Sequence, residues 1–138
     1  MKEPNVLNFL VVDDSPMAIK NITHQIEQTG HNVIGKATSA AEAIKKYKEL
    51  KPDMVTMDIT MPEIDGIVAV KNIISLDKEA DIIMVTSHGQ ESLVAQALLV
   101  GAKGYILKPL SGDKLSETIG MIRNNDEHAA TEDVIDSL

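Results

Sequence analysis

The chain has 138 residues, 43% of them apolar and 25% charged, which suits one soluble globular domain with a real core. A formal net charge of -8 with no cysteine excludes a disulfide framework and a thiolate zinc site, and disfavours nucleic acid or an anionic membrane surface as a direct partner. The N-terminus, Met1-Lys2-Glu3-Pro4-Asn5, lacks the apolar middle of a signal peptide and no apolar run approaches a membrane span, so a cytoplasmic protein without membrane insertion is expected.

Leu7-Asn8-Phe9-Leu10-Val11-Val12 is a near-continuous apolar run that stops at Asp13-Asp14, which reads as a central parallel strand with two carboxylates at its mouth. Ser15 and Pro16 then supply a helix N-cap and a proline at the first helical position, with Ile19, Ile22 and Ile26 at helical spacing before Gly30. Residues 32–37 read as a second, weaker strand. Ser39 with Glu42 is a capping box, and Ala43, Ile44, Tyr47 and Leu50 form the buried face of the helix behind it, which Pro52 ends. Met54-Val55-Thr56-Met57 carries Asp58 to the carboxyl end of a third strand, the edge where open α/β sheets bind their ligands. Pro62 and Asp65-Gly66 force a loop there.

Ile67, Val70, Ile73 and Ile74 line a third helix, and residues 81–87 form a fourth strand with the hydroxyls of Thr86 and Ser87 at its exit. Leu93, Val94, Ala97 and Leu98 mark a fourth helix stopped at Gly101, and residues 104–109 a fifth strand that ends in the cation of Lys108. Leu115, Ile119 and Ile122 face a last helix, which closes a domain at 1–124. Residues 125–138 read as a flexible acidic tail: Asp126, Glu127, Glu132, Asp133 and Asp136 account for five of the eight net negative charges. Strands alternating with helices five times imply an α/β fold, a doubly wound parallel sheet with right-handed crossovers.

Polar residues end four of the strands: Asp13 and Asp14, Asp58, Thr86 and Ser87, and Lys108. Each alone is an ordinary helix cap or a snorkelling lysine; together they point at one sheet edge. Three carboxylates within a few ångströms repel, so either one is protonated or a cation sits among them. A cluster of oxygens alone calls for a hard ion, and Mg²⁺ fits best because it takes one or two carboxylates and keeps room for water and phosphate oxygens. Lys108 and the Thr86 hydroxyl are donors of the kind that cradle a transferring phosphoryl group. His24, His31, His88 and His128 lack metal-ligand spacing and read as surface residues, and Met57 and Met61 flank the site without evident chemistry.

Val11-Val12-Asp13-Asp14, Met57-Asp58-Ile59-Thr60-Met61-Pro62-Glu63-Ile64-Asp65-Gly66, Val85-Thr86-Ser87 and Gly101-Ala102-Lys103-Gly104-Tyr105-Ile106-Leu107-Lys108-Pro109 carry a specific resemblance. Over about residues 6 to 124 the chain resembles the receiver domains of two-component response regulators, in particular the stand-alone CheY-like kind. The resemblance implies a five-stranded flavodoxin-like sheet in the order 2-1-3-4-5 with five helices. It also implies that Asp58 accepts a phosphoryl group from a histidine kinase or a small phosphodonor. Asp14 would bind Mg²⁺ directly, Asp13 largely through water, and the Thr60 carbonyl would supply a further ligand. Lys108 would pair with the phosphoryl oxygens, next to a cis Lys108-Pro109 bond. Thr86 would move toward the phosphoryl group, letting Tyr105 turn inward and reshaping the fourth helix, fifth strand and fifth helix. Thr60 and His88 occupy positions that tune access of hydrolytic water, so they are expected to set phosphoryl lifetime. Leu110 stands where the family often has Phe.

The implied function is a single-domain response regulator that catalyses only its own phosphorylation and dephosphorylation. No effector segment follows the last helix, so the expected output is a protein contact, with the flagellar motor switch of chemotaxis as the leading target. A phosphorelay intermediate and a phosphorylation-independent scaffold are the alternatives. A Mg²⁺-dependent aspartyl phosphohydrolase would place nucleophile and acid as Asp-x-Asp on the first strand, which Asp13-Asp14-Ser15-Pro16 does not. A flavodoxin-like carrier needs aromatics around a flavin, and only Phe9, Tyr47 and Tyr105 are present.

Overall fold

A computed structural model describes the backbone of residues 6–59 and 66–136, and side chains as far as 124. Strands and helices alternate: β1 (Asn8–Val12), α1 (Pro16–Gln28), β2 (Asn32–Ala37), α2 (Ala40–Leu50), β3 (Met54–Asp58), α3 (Gly66–Leu76), β4 (Ile82–Thr86), α4 (Glu91–Leu99), β5 (Gly104–Leu107) and α5 (Gly112–Asp136). The strands form one parallel sheet in the order β2-β1-β3-β4-β5. Every residue of β3 and β4 is buried, because inner strands of a parallel sheet have helices on both faces, and this is why, Thr56 apart, they read as apolar runs up to their exits. The edge strand β2 is buried only at Ala37.

Side chains on the two faces of the sheet seed two cores. Leu10, Val12, Val55, Met57, Ile82 and Met84 pack against α2, α3 and α4, while Phe9, Val11, Met54, Ile83, Val85 and Ile106 pack against α1 and α5. The alternation along β1, β3 and β4 follows from the two-residue period of a strand. α1 starts on Ser15, whose Oγ accepts from the Ala18 N–H at 3.2 Å, and buries Ile19, Ile22 and Ile26. α2 starts on Ser39, whose Oγ accepts from the Glu42 N–H at 3.1 Å. The return bond of the expected capping box differs: the Glu42 carboxylate accepts from the N–H of Thr38 at 2.7 Å, one residue before the cap.

Three further departures have local causes. Leu50 is 37% exposed rather than buried, because it ends α2 at the edge of the sheet and lies across Gly35 of β2. β5 stops at Leu107, leaving Lys108 and Pro109 beyond it, joined by a cis peptide bond. α5 runs on to Asp136, into the stretch expected to be a flexible tail; no Pro or Gly between 121 and 136 interrupts the helical backbone. The domain boundary expected at 124 is therefore not marked by a break in this helix. No helix among the described residues is long and apolar enough to cross a membrane.

Candidate functional site

The register of the sheet brings the polar strand ends to one level. Val12 pairs with Met57, so Asp13 and Asp58 leave neighbouring strands side by side. Asp58 pairs with Val85, which sets Thr86 one residue further along, and Thr86 pairs with Leu107 just before Lys108. The Lys108 N–H donates to the Thr86 carbonyl at 2.7 Å, tying the last two together.

Asp13 is 1% exposed and has two tasks. Its Oδ1 accepts from the Ser15 N–H at 2.9 Å, closing the turn into α1, and its Oδ2 lies 3.1 Å from Lys108 Nζ. Asp58 is 6% exposed, with Oδ1 3.6 Å from the same ammonium. Asp14 is exposed at the rim, and one carboxylate oxygen from each of Asp13, Asp14 and Asp58 lies within 4.8 Å of the others. Behind Asp58 the chain is packed against α3. The Gly66 N–H donates to the Ile59 carbonyl at 3.0 Å, and a Cβ on Gly66 would stand 2.2 Å from the Asp58 carbonyl oxygen.

Burial, and next the charge of Asp13, push the Asp58 carboxyl up to about 6; Lys108 opposes this and Asp14 adds to it. Burial alone would lower Lys108, yet the charges of Asp58 and Asp13 outweigh it and hold the ammonium above the ordinary lysine value. One ammonium thus faces three carboxylates. The donor set is oxygen only, converges from two strand ends and remains under-neutralised, which fits a hard divalent cation such as Mg²⁺.

Asp13, Asp14, Asp58, Thr86 and Lys108 are therefore brought to one sheet edge, as the strand pattern predicts. Thr60 lies outside the described residues, as does Met61. His88 is exposed in the turn after β4. Tyr105 is 52% exposed on β5, and an open cavity of about 370 Å³ lies between it and α4, reaching Thr86, Val94 and Leu98. Leu110 is buried in the core with α1 and α5, not presented at the surface. His31, expected at the surface, is half-buried; its Nδ1 accepts from the Leu7 N–H at 3.0 Å.

Two groups near the strand ends carry no sequence motif. Gln90 accepts on Oε1 from the Thr86 hydroxyl and from the Ser87 N–H, each at 2.9 Å. At the opposite end of β4, buried Asp81 holds Lys103 at 2.6 Å, with Arg123 of α5 at 4.0 Å. The one available hint for Gln90 was its spacing from Thr86 across a turn containing Gly89.

The family model of the response regulator receiver domain matches residues 9–120. The chain belongs to that family. Among relatives of this receiver domain, the chemotaxis protein CheY of Thermotoga maritima is 43% identical over 113 residues, covering 82% of this chain and 94% of that protein. CheY of Bacillus subtilis is 44% identical over 116 residues, covering 84% and 97%. A solved CheX-CheY-BeF3-Mg²⁺ complex from Borrelia burgdorferi superposes with a TM-score of 0.78 at 41% identity, covering 83% of this chain and 87% of that one. The receiver domain is thus CheY-like and belongs to two-component signalling.

Proposed function

We propose that this receiver domain accepts a phosphoryl group on Asp58 and thereby switches a protein-binding surface in chemotaxis. An oxygen of the Asp58 carboxylate attacks phosphorus, and the bond from phosphorus to the donor's nitrogen or oxygen breaks. The donor keeps the electron pair, and an acyl phosphate is left; water later returns it to carboxylate and inorganic phosphate. Lys108, 3.6 Å from Asp58 Oδ1, faces the negative charge that the phosphoryl group brings. Asp13, Asp14 and Asp58 would hold Mg²⁺, which when bound supplies further positive charge against the phosphoryl oxygens. Thr86 donates its hydroxyl to the added group, and Tyr105 turns into the cavity beside α4. Activity is confined to the protein's own phosphorylation and dephosphorylation, and Thr60 and His88 set how long the phosphoryl group lasts.

The observation that carries this reading is the convergence of Asp13, Asp58 and Lys108 within salt-bridge distance at the mouth of β1 and β3, with Asp14 beside them. The likeness to the chemotaxis protein CheY of two bacteria supports a role in chemotaxis; in this proposal the protein acts in the cytoplasm, a histidine kinase is the donor and the flagellar motor switch is the target. A phosphorelay intermediate is the alternative for the pathway. Incubation with acetyl phosphate and Mg²⁺, followed by intact-mass measurement of the wild type and Asp58→Ala, tests the chemistry. Pull-down with and without a phosphate mimic on Asp58 tests the target, and dephosphorylation of a Thr60 and His88 double variant tests the lifetime assignment.

A further inference from the structure

We propose that Gln90 is a latch: its side-chain carbonyl holds the Thr86 hydroxyl and the turn after β4 in the resting arrangement, so that a phosphoryl group must compete with it for Thr86. The inference rests on the reading of Asp58 as phosphoacceptor and adds a positioning residue to it. Gln90 is the residue just before α4, yet its side chain makes no capping bond to that helix. It turns back across Ser87, His88 and Gly89 instead, where Gly89 has a φ of +91° that suits the tight reversal. There Oε1 accepts from Thr86 Oγ1 and from the Ser87 N–H, both at 2.9 Å, which occupies both lone pairs of the amide oxygen.

Thr86 has a single hydroxyl hydrogen and is 2% exposed. A buried hydroxyl needs a partner, and here that partner is Gln90, with the Ser87 carbonyl a weaker second acceptor at 3.3 Å. Bonding to a phosphoryl oxygen therefore requires that the hydroxyl leave Gln90. An anionic acceptor makes the stronger bond, so phosphorylation wins the exchange, and the strength of the latch is subtracted from what it gains. Because Gln90 directly precedes α4 and also ties down the Ser87 amide, release of Thr86 loosens the entry to the helix that flanks Tyr105. The switch thus acquires a defined off state through a residue that touches neither phosphate nor metal.

The test is a series at position 90 read by affinity for beryllium fluoride with Mg²⁺. Gln90→Met keeps the length and removes the acceptor; affinity should rise roughly 2- to 10-fold, the range of one net neutral hydrogen bond. Gln90→Glu offers an ionised acceptor and should lower affinity. In a Thr86→Ala background the gain from Gln90→Met should fall toward one, because the hydroxyl that was held is gone. A second readout is independent of phosphoryl chemistry: three-bond couplings should show one Thr86 side-chain rotamer in the unliganded wild type and rotamer averaging in Gln90→Met. Unchanged affinity in Gln90→Met, an equal gain in both backgrounds, or an averaged Thr86 rotamer in the wild type would each overturn the latch. Should the wild type bind no beryllium fluoride and take up no phosphoryl group, the assignment of Asp58 fails, and the Thr86 rotamers still decide whether Gln90 holds the hydroxyl.

Discussion

Replacing Asp58 with Asn removes a buried charge that stands against two neighbouring carboxylates, and the protein should become more stable for it. The Asp58 carboxyl titrates at about 6 in place of the ordinary 3.8, chiefly through burial and then the charge of Asp13. That difference of about two pK units corresponds to roughly 3 kcal/mol of native-state destabilisation once the group is ionised. Between the two values the native protein binds more protons than the unfolded chain, so the contribution of this group to stability falls as pH rises from about 4 to about 6 and is constant above. Asn does not titrate. In metal-free buffer Asp58→Asn should therefore melt close to the wild type near pH 4 and roughly 10 °C higher near pH 7 for a chain of this length. Mg²⁺ should narrow the gap, since an ion that binds the native wild type stabilises it by mass action. Thermal melts with and without chelator across this pH range give the result directly. A gap that does not grow with pH, or a variant that melts below the wild type near pH 7, would refute the electrostatic reasoning.

Thr56→Val should raise stability by about 1 kcal/mol, or roughly 3 °C, because the Thr56 hydroxyl is buried in the middle of β3 with no hydrogen-bond partner among the described residues; a chemical denaturation curve with an unchanged or lower midpoint would argue against this. Burial lowers the pKa of His31 below 6.5, so its imidazole should titrate by NMR below the ordinary histidine value. As pH falls through that range the unfolded chain takes the proton first, and the stability contributed at this position should decline with acidification. Gly66→Ala should cost about 2 kcal/mol and slow phosphoryl uptake, because a Cβ 2.2 Å from the Asp58 carbonyl oxygen meets backbone that cannot swing aside; denaturation and an acetyl phosphate time course check the two effects separately.

The parts of the fold that are visible in the sequence are those set by one local pattern. Apolar runs that stop at Asp13, Asp58 and Thr86 announce inner parallel strands and their exits, because burial on both faces disfavours polar residues before the end, Thr56 in β3 being the exception. Ser15-Pro16 and Ser39 mark helix starts, since the first helical amides need an acceptor. What the sequence leaves open depends on neighbours brought from elsewhere. Leu50 and Leu98 satisfy a helical apolar pattern, yet Leu50 is only partly covered at the sheet edge and Leu98 is 39% exposed. Gln90 is an unremarked amide until the turn at Gly89 folds it onto Thr86. The Asp81 and Lys103 pair spans strand starts 22 residues apart and carries no periodic signal. His31 likewise becomes a hydrogen-bond acceptor only because β1 begins beside the end of α1.

The most direct test of the whole account is covalent. Wild-type protein given acetyl phosphate and Mg²⁺ should gain the mass of one phosphoryl group, carried on Asp58 and absent from Asp58→Ala. A wild type that gains nothing under these conditions, or an Asp58→Ala variant that gains as much, would contradict it.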